Sequence, residues 1–184
     1  MKLKIYRAIF IILLLVAIVI IALIATKQWK SMENERENQE VLETFSNVEI
    51  QDSKTVQLNG YDVIGIVSIP KINIQYPILA IETSNPEETK EPMRYGIVKY
   101  WGGNVNDYGN LSIAGHNNYN GTMFGKTKNL EIGDIVELTD LTKTTLQYAI
   151  YDIFVTDPND VSILATKDET IREVTLITCT NGNR

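Results

Sequence analysis

His116 and Cys179 are each the only residue of their type in the chain. Both close a short apolar run. Leu111-Ser112-Ile113-Ala114-Gly115 leads into His116, and Val174-Thr175-Leu176-Ile177-Thr178 leads into Cys179. A thiol becomes an effective nucleophile when a nearby base or cation raises its thiolate fraction. An imidazole fills that role and later returns the proton to a leaving amine. A guanidinium offers a developing oxyanion permanently charged donors. Arg184, five residues after Cys179, is the nearest downstream arginine. Together these types suit acyl transfer through a thiol. Each also has a plainer reading: a small buried apolar residue for the cysteine, a turn residue for the histidine, a terminal charge for the arginine.

Composition narrows the alternatives. One cysteine excludes an intrachain disulfide framework and a zinc site built from several thiolates. One histidine excludes a multi-histidine metal site. From Lys27 onward the chain carries 14 basic and 23 acidic residues, a net charge of −9. Nucleic-acid binding calls for a basic footprint, so no nucleic-acid partner is expected.

Lys2, Lys4 and Arg7 precede an unbroken apolar run over 8–25. Eighteen residues at the helical rise span ~27 Å, close to the hydrocarbon thickness of a bilayer. The run is longer than the apolar region of a cleaved signal and ends without a small-x-small site. It is apolar all round, unlike a core helix. Residues 1–26 therefore read as a cytoplasmic tip and an uncleaved transmembrane anchor, with the remainder outside the cell. An unpaired thiol in such a domain is unusual and favours a reactive role for Cys179. Residues 27–60 read as a helical stalk (27–46) and a polar linker. Residues 61–184 read as one domain, enough chain for a core without disulfides.

That domain is all-β with short helices. Strands are expected at 63–69, 78–81, 96–100, 110–114, 135–139, 144–154 and 174–178. Pro70 and Pro77 bound a short segment over 71–76. One helical turn is expected in the acidic loop 85–92 and a short helix within 122–130. Turns are expected at 131–134 and 157–160.

Thr175-Leu176-Ile177-Thr178-Cys179 resembles the TLxTC signature of the sortases, membrane-anchored cysteine transpeptidases of Gram-positive bacteria. Ser112-Ile113-Ala114-Gly115-His116-Asn117 resembles that family's strand-and-histidine motif. Gly65-Ile66-Val67-Ser68-Ile69-Pro70-Lys71-Ile72 followed by Tyr76-Pro77-Ile78 resembles its first core strand and continuation. The resemblance implies a sortase-type eight-stranded β-barrel, with His116 and Cys179 catalytic. It also implies an arginine downstream of the cysteine, somewhat more than five residues on, followed by a full apolar strand. The chain stops at Arg184, so the last strand is expected to be missing. Either Arg184 is the catalytic arginine at a short spacing, or that residue lies beyond the end.

The implied reaction is cleavage of an LPxTG-like sorting signal on a surface protein, through a thioester. The acyl part passes to an amine of a cell-wall precursor or a pilin. No Asp-Pro-aromatic lid occurs between Lys27 and Tyr61, which argues against the pilin-polymerising class. Met123-Phe124 after the histidine is similar to class B or D members. No cofactor is expected. Some members bind calcium through loop carboxylates, and Glu82, Glu87, Glu88 and Glu91, or Glu131, Asp134 and Glu137, are the residues available. Tyr119, Asn120, Gly121 and 96–103 are candidates for the groove lining. The rivals are an extracellular thiol peptidase, whose families generally place cysteine before histidine and on a helix, and a non-catalytic β-scaffold.

Overall fold

The structure, a computed structural model, describes residues 2–47, 56–81 and 86–180. The chain divides into two compact units, Met1–Glu37 and Asn38–Arg184. Helix α1 (Lys2–Asn47) contains neither glycine nor proline, and it runs unbroken through the change of composition at residue 26. Its apolar part is the one stretch among the described residues long and apolar enough to cross a bilayer. Side chains there, from Ile9 to Ile24, are exposed.

Among the described residues the second unit is built on eight strands: β1 (Gln57–Leu58), β2 (Tyr61–Ile69), β3 (Ile74–Leu79), β4 (Ile97–Trp101), β5 (Gly109–Ala114), β6 (Ile135–Asp140), β7 (Thr145–Ala149) and β8 (Arg172–Ile177). They form one sheet in the order β7-β6-β2-β3-β4-β5-β8, with β1 paired to β2. The sheet curls into a nearly closed barrel. Pairs β3–β4 and β5–β8 are parallel and the others antiparallel. Short 3₁₀ turns occupy Pro70–Ile72, Pro86–Thr89, Pro92–Arg94, Thr127–Asn129 and Ser162–Leu164.

Three elements differ from the sequence expectation. β3 runs straight through Pro77. It gains β4 as a second neighbour only from Ile78, so Pro77 stands where a residue without an N–H is tolerated. β7 stops at Ala149 rather than continuing to 154, because its partner β6 begins at Ile135, opposite Ala149. Tyr151, Ile153, Phe154 and Val155 consequently lie exposed beyond the ladder. Gln57 and Leu58, within the expected linker, pair with β2, and Leu58 is buried. Residues 48–55 of that linker lie outside the described residues.

β2, β3 and β5 read as near-continuous apolar runs because both their faces are covered, whereas β6 and β7 alternate. Val67, Ile69, Ile78, Ile97, Leu111, Ile113 and Leu138 join one buried cluster with Phe124. Alternate positions Val63, Ile66, Leu79, Val98 and Ala114 join a second. That second face is closed by the last turns of α1, which contribute Leu42 and Phe45. Asn38 Nδ2 donates to the Tyr95 carbonyl at 2.9 Å. Lys143, in the β6–β7 turn, donates to the Phe45 carbonyl and lies 3.5 Å from the centre of its ring. A cation at the last carbonyls of a helix complements its dipole. Burial pulls the Lys143 pKa below its usual value.

The covered outer face sets two opposite expectations for thermal melting of the full chain. Phe45→Ala, which empties a fully buried aromatic site, should cost roughly 3–5 kcal/mol. Ser112→Ala removes a fully buried hydroxyl that has no hydrogen-bond partner among the described residues, and should leave the melting temperature unchanged or raised. A melting temperature that survives Phe45→Ala would show that the helix end is not part of the core.

Candidate active site

β5 and β8 run parallel with a constant offset of 63 residues, from Gly109 opposite Arg172 to Ala114 opposite Ile177. Their C-terminal ends therefore emerge side by side. Contact continues past the last rung. The Gly115 N–H donates to the Ile177 carbonyl at 3.1 Å. The Thr178 hydroxyl donates to the Gly115 carbonyl at 2.8 Å. The Asn117 side-chain amide donates to the Cys179 carbonyl at 2.7 Å. Carried two positions beyond the ladder, the same offset sets His116 opposite Cys179.

The segment after His116 folds back to brace it. The Phe124 N–H donates to the His116 carbonyl at 3.0 Å, and Asn117 forms a bridge with Met123. Between them the Gly121 N–H donates to the Asn118 carbonyl at 2.9 Å, and Asn118 Nδ2 to the Thr122 hydroxyl at 2.9 Å. Phe124 is fully buried and presses on Gly115. A Cβ at Gly115 would lie 2.9 Å from Phe124 Cδ2 and 3.1 Å from Ile97 Cγ1, so the position before the histidine admits only glycine without a shift. Tyr119, at the tip of this loop, is fully exposed. Ile97 and Val98, in the other segment considered for a groove, are core residues instead.

His116 is half-buried, and desolvation holds its pKa below the usual 6.5. The imidazole is then neutral at neutral pH and able to accept a proton. Cys179 is exposed. An exposed thiol beside a neutral imidazole can lose its proton to the ring, attack a carbonyl carbon, and leave an imidazolium to protonate the departing group. Arg184 lies outside the described residues. Arg172 is placed elsewhere. It starts β8, seven residues or about 23 Å of extended chain before Cys179. Its guanidinium stacks on Tyr108 at 3.8 Å, and its Nε donates to the Asn106 carbonyl at 2.7 Å.

The acidic loops are occupied internally. Lys90 pairs with Glu87 at 2.5 Å and Arg94 with Glu91 at 3.1 Å. Lys71 bridges Glu131 at 2.9 Å and Asp134 at 3.0 Å. Glu137 accepts from Gln147 at 2.9 Å. Glu82 lies outside the described residues. Among the described residues no three metal-ligating side chains converge. Asn117 and Thr178 were legible only as parts of motifs. The signal for their roles is a side-chain donor on each strand just where the backbone ladder stops.

A protein-family model, Sortase domain, matches residues 67–184. Sortase A of Bacillus anthracis is 26% identical over 132 residues, 71% of this chain and 59% of that relative. The chain thus matches about three fifths of the relative's length. Among solved structures, a Clostridium perfringens sortase D5 transpeptidase superposes with a TM-score of 0.60 at 28% identity, covering 80% of this chain and 89% of that one. Sortase A of Listeria monocytogenes gives 0.54 at 25% identity, covering 66% and 79%.

The lone histidine makes its titration readable. Its ring resonances should move with a midpoint below 6.5 in the folded chain, followed by NMR against pH. Well above 6.5 the ring is neutral in folded and unfolded chains alike. Below it the unfolded chain binds the proton more readily, so stability should fall as pH drops from 6.5 through the folded-state pKa. His116→Gln should remove that part of the decline. A midpoint above 6.5 would mean that an anionic partner, not burial, governs the ring.

Proposed function

Because the chain belongs to the sortase family, whose members are cysteine transpeptidases, we propose that it cleaves an LPxTG-like sorting signal on surface proteins and passes the acyl part to an amine. The observation that carries this reading is the β5–β8 register, whose last rung lies two residues before the only histidine on one strand and two before the only cysteine on the other. That Cys179 closes a strand and not a helix favours this reading over a papain-like thiol peptidase.

In the proposed reaction His116 takes the Cys179 proton, and the sulfur attacks the Thr–Gly carbonyl carbon. The C–N bond breaks as the imidazolium proton moves to the glycine amine, which leaves. A thioester remains. An amine of a cell-wall precursor or a pilin then attacks the thioester carbonyl, gives its proton to His116, and expels the thiolate, which is reprotonated. Arg184 is the proposed oxyanion donor. The likeness to a sortase D5 supports class D over class B. The apolar stretch of α1 is the proposed anchor, with Lys2, Lys4 and Arg7 on the cytoplasmic side.

Two experiments test this reading. Cys179→Ala should abolish thioester formation with an LPxTG peptide in mass spectrometry, and His116→Ala should lower transfer at least ~10²-fold. Peptide transfer by the alanine variant of Cys179 would refute the mechanism. Protease added to intact protoplasts should digest residues 61–184, while the membrane retains the N-terminal helix. Protection of that region would reverse the topology.

A further inference from the structure

We infer that Asn117 and Thr178 are positioning residues: two crossed side-chain bonds clamp the ends of β5 and β8 beyond their ladder and fix the imidazole against the thiol. The inference rests on the reading of His116 and Cys179 as the reacting groups. The regular rungs end at Ala114 and Ile177. One more backbone bond follows, from Gly115 to Ile177. The reacting side chains sit just beyond it, where backbone pairing alone no longer holds the two segments together.

Side chains take over at that point, and they do so from both segments. Thr178, immediately before Cys179, donates across to Gly115, immediately before His116. Asn117, immediately after His116, donates back to the carbonyl of Cys179 itself. The two bonds run in opposite senses and bracket the pair. A single bond would leave a pivot. Two, set two residues apart on the histidine segment, oppose both sliding and twisting. Asn117 is itself fixed by its bridge to Met123, so its amide is presented from a braced backbone. Acyl transfer is sensitive to this kind of placement, since a displacement of about 1 Å at the reacting atoms can cost ~10²-fold in rate.

The chemistry of the donors defines the variants. Thr178→Val keeps the shape and removes the hydroxyl, whereas Thr178→Ser keeps the hydroxyl. Asn117→Asp keeps the shape but sets a carboxylate against a carbonyl oxygen, two acceptors facing each other. Cys179 is the only thiol, so alkylation of the full chain in detergent by iodoacetamide, read by mass spectrometry, reports that one site. The parent and His116→Ala define the two limiting pH profiles of alkylation. Thr178→Val and Asn117→Asp should shift the profile toward that of His116→Ala. They should lower kcat for LPxTG-peptide transfer roughly ten- to a hundredfold with KM within about threefold, and melt within a few degrees of the parent. Thr178→Ser should restore most of kcat and the parent profile.

The inference is overturned if both isosteric variants keep the parent profile and a kcat within about twofold. It is equally overturned if Thr178→Ser loses as much as Thr178→Val, or if kcat falls only in step with melting temperature. A His116→Ala profile identical to the parent's would leave the clamp no pair to hold, and would overturn it too. A parent whose alkylation depends on His116 but which transfers no sorting peptide would refute the proposed function and leave the clamp supported by its alkylation data.

Discussion

The parallel pairing of β5 with β8 is the constraint on which the rest of the molecule depends. A parallel pair brings two like-directed strand ends to one rim, and a constant offset of 63 residues decides which residues meet there. No local interaction could join His116 to Cys179 across that separation. The pairing is held from both faces. Leu111 and Ile113 anchor β5 to one buried cluster, while Ala114 and Ile177 lie against the other, with Phe45 and Leu42 from the helix end. A one-residue slip would exchange these two sets and drive the polar Asn110 and Ser112 into the apolar cluster. Asn110 further secures the pair through its contacts to Ile163 and Thr175.

The two central residues sit in contrasting environments that suit the proposed division of labour. His116 is half-buried and braced by Phe124, which favours its uncharged form. Cys179 is exposed, where a peptide carbonyl can approach. Two other charged groups are engaged elsewhere. Lys71 draws in Glu131 and Asp134, and the Asp134 carboxyl is held below its usual pKa first by the Glu131 backbone N–H that donates to it and then by Lys71. Arg172 is committed to Tyr108 and Asn106 at the opposite end of β8.

Much of this was legible in the sequence, for identifiable reasons. β2 and β5 appear as largely apolar runs because both their faces are covered, and such a run survives uncertainty about register. His116 and Cys179 stand out by being single. The offset that joins them is a relation between two distant segments and leaves no mark on either. The extent of β7 depends on where β6 begins, so the apolar continuation through Phe154 read as strand although no strand among the described residues pairs with it. The helix end was read as a polar stalk because polar and charged residues dominate 27–46, yet Leu42 and Phe45 are buried in the core of the second unit. The roles of Asn117 and Thr178 were hidden for a related reason: a side-chain donor becomes informative only once the carbonyl it meets is known.

The β5–β8 pairing also bears on how the domain comes into being. Contacts between residues 63 apart can form only after a long loop has closed, and chains dominated by such contacts fold slowly. The entropic cost of closure rises only slowly with loop length, about 0.6 kcal/mol for each doubling. The penalty thus falls mainly on time rather than on final stability. While β5 waits, its edge stays open to misplaced pairing. A folding chain would therefore pass through a stage with most of the described sheet in place and His116 and Cys179 still apart, a stage that ends only when β8 docks on β5.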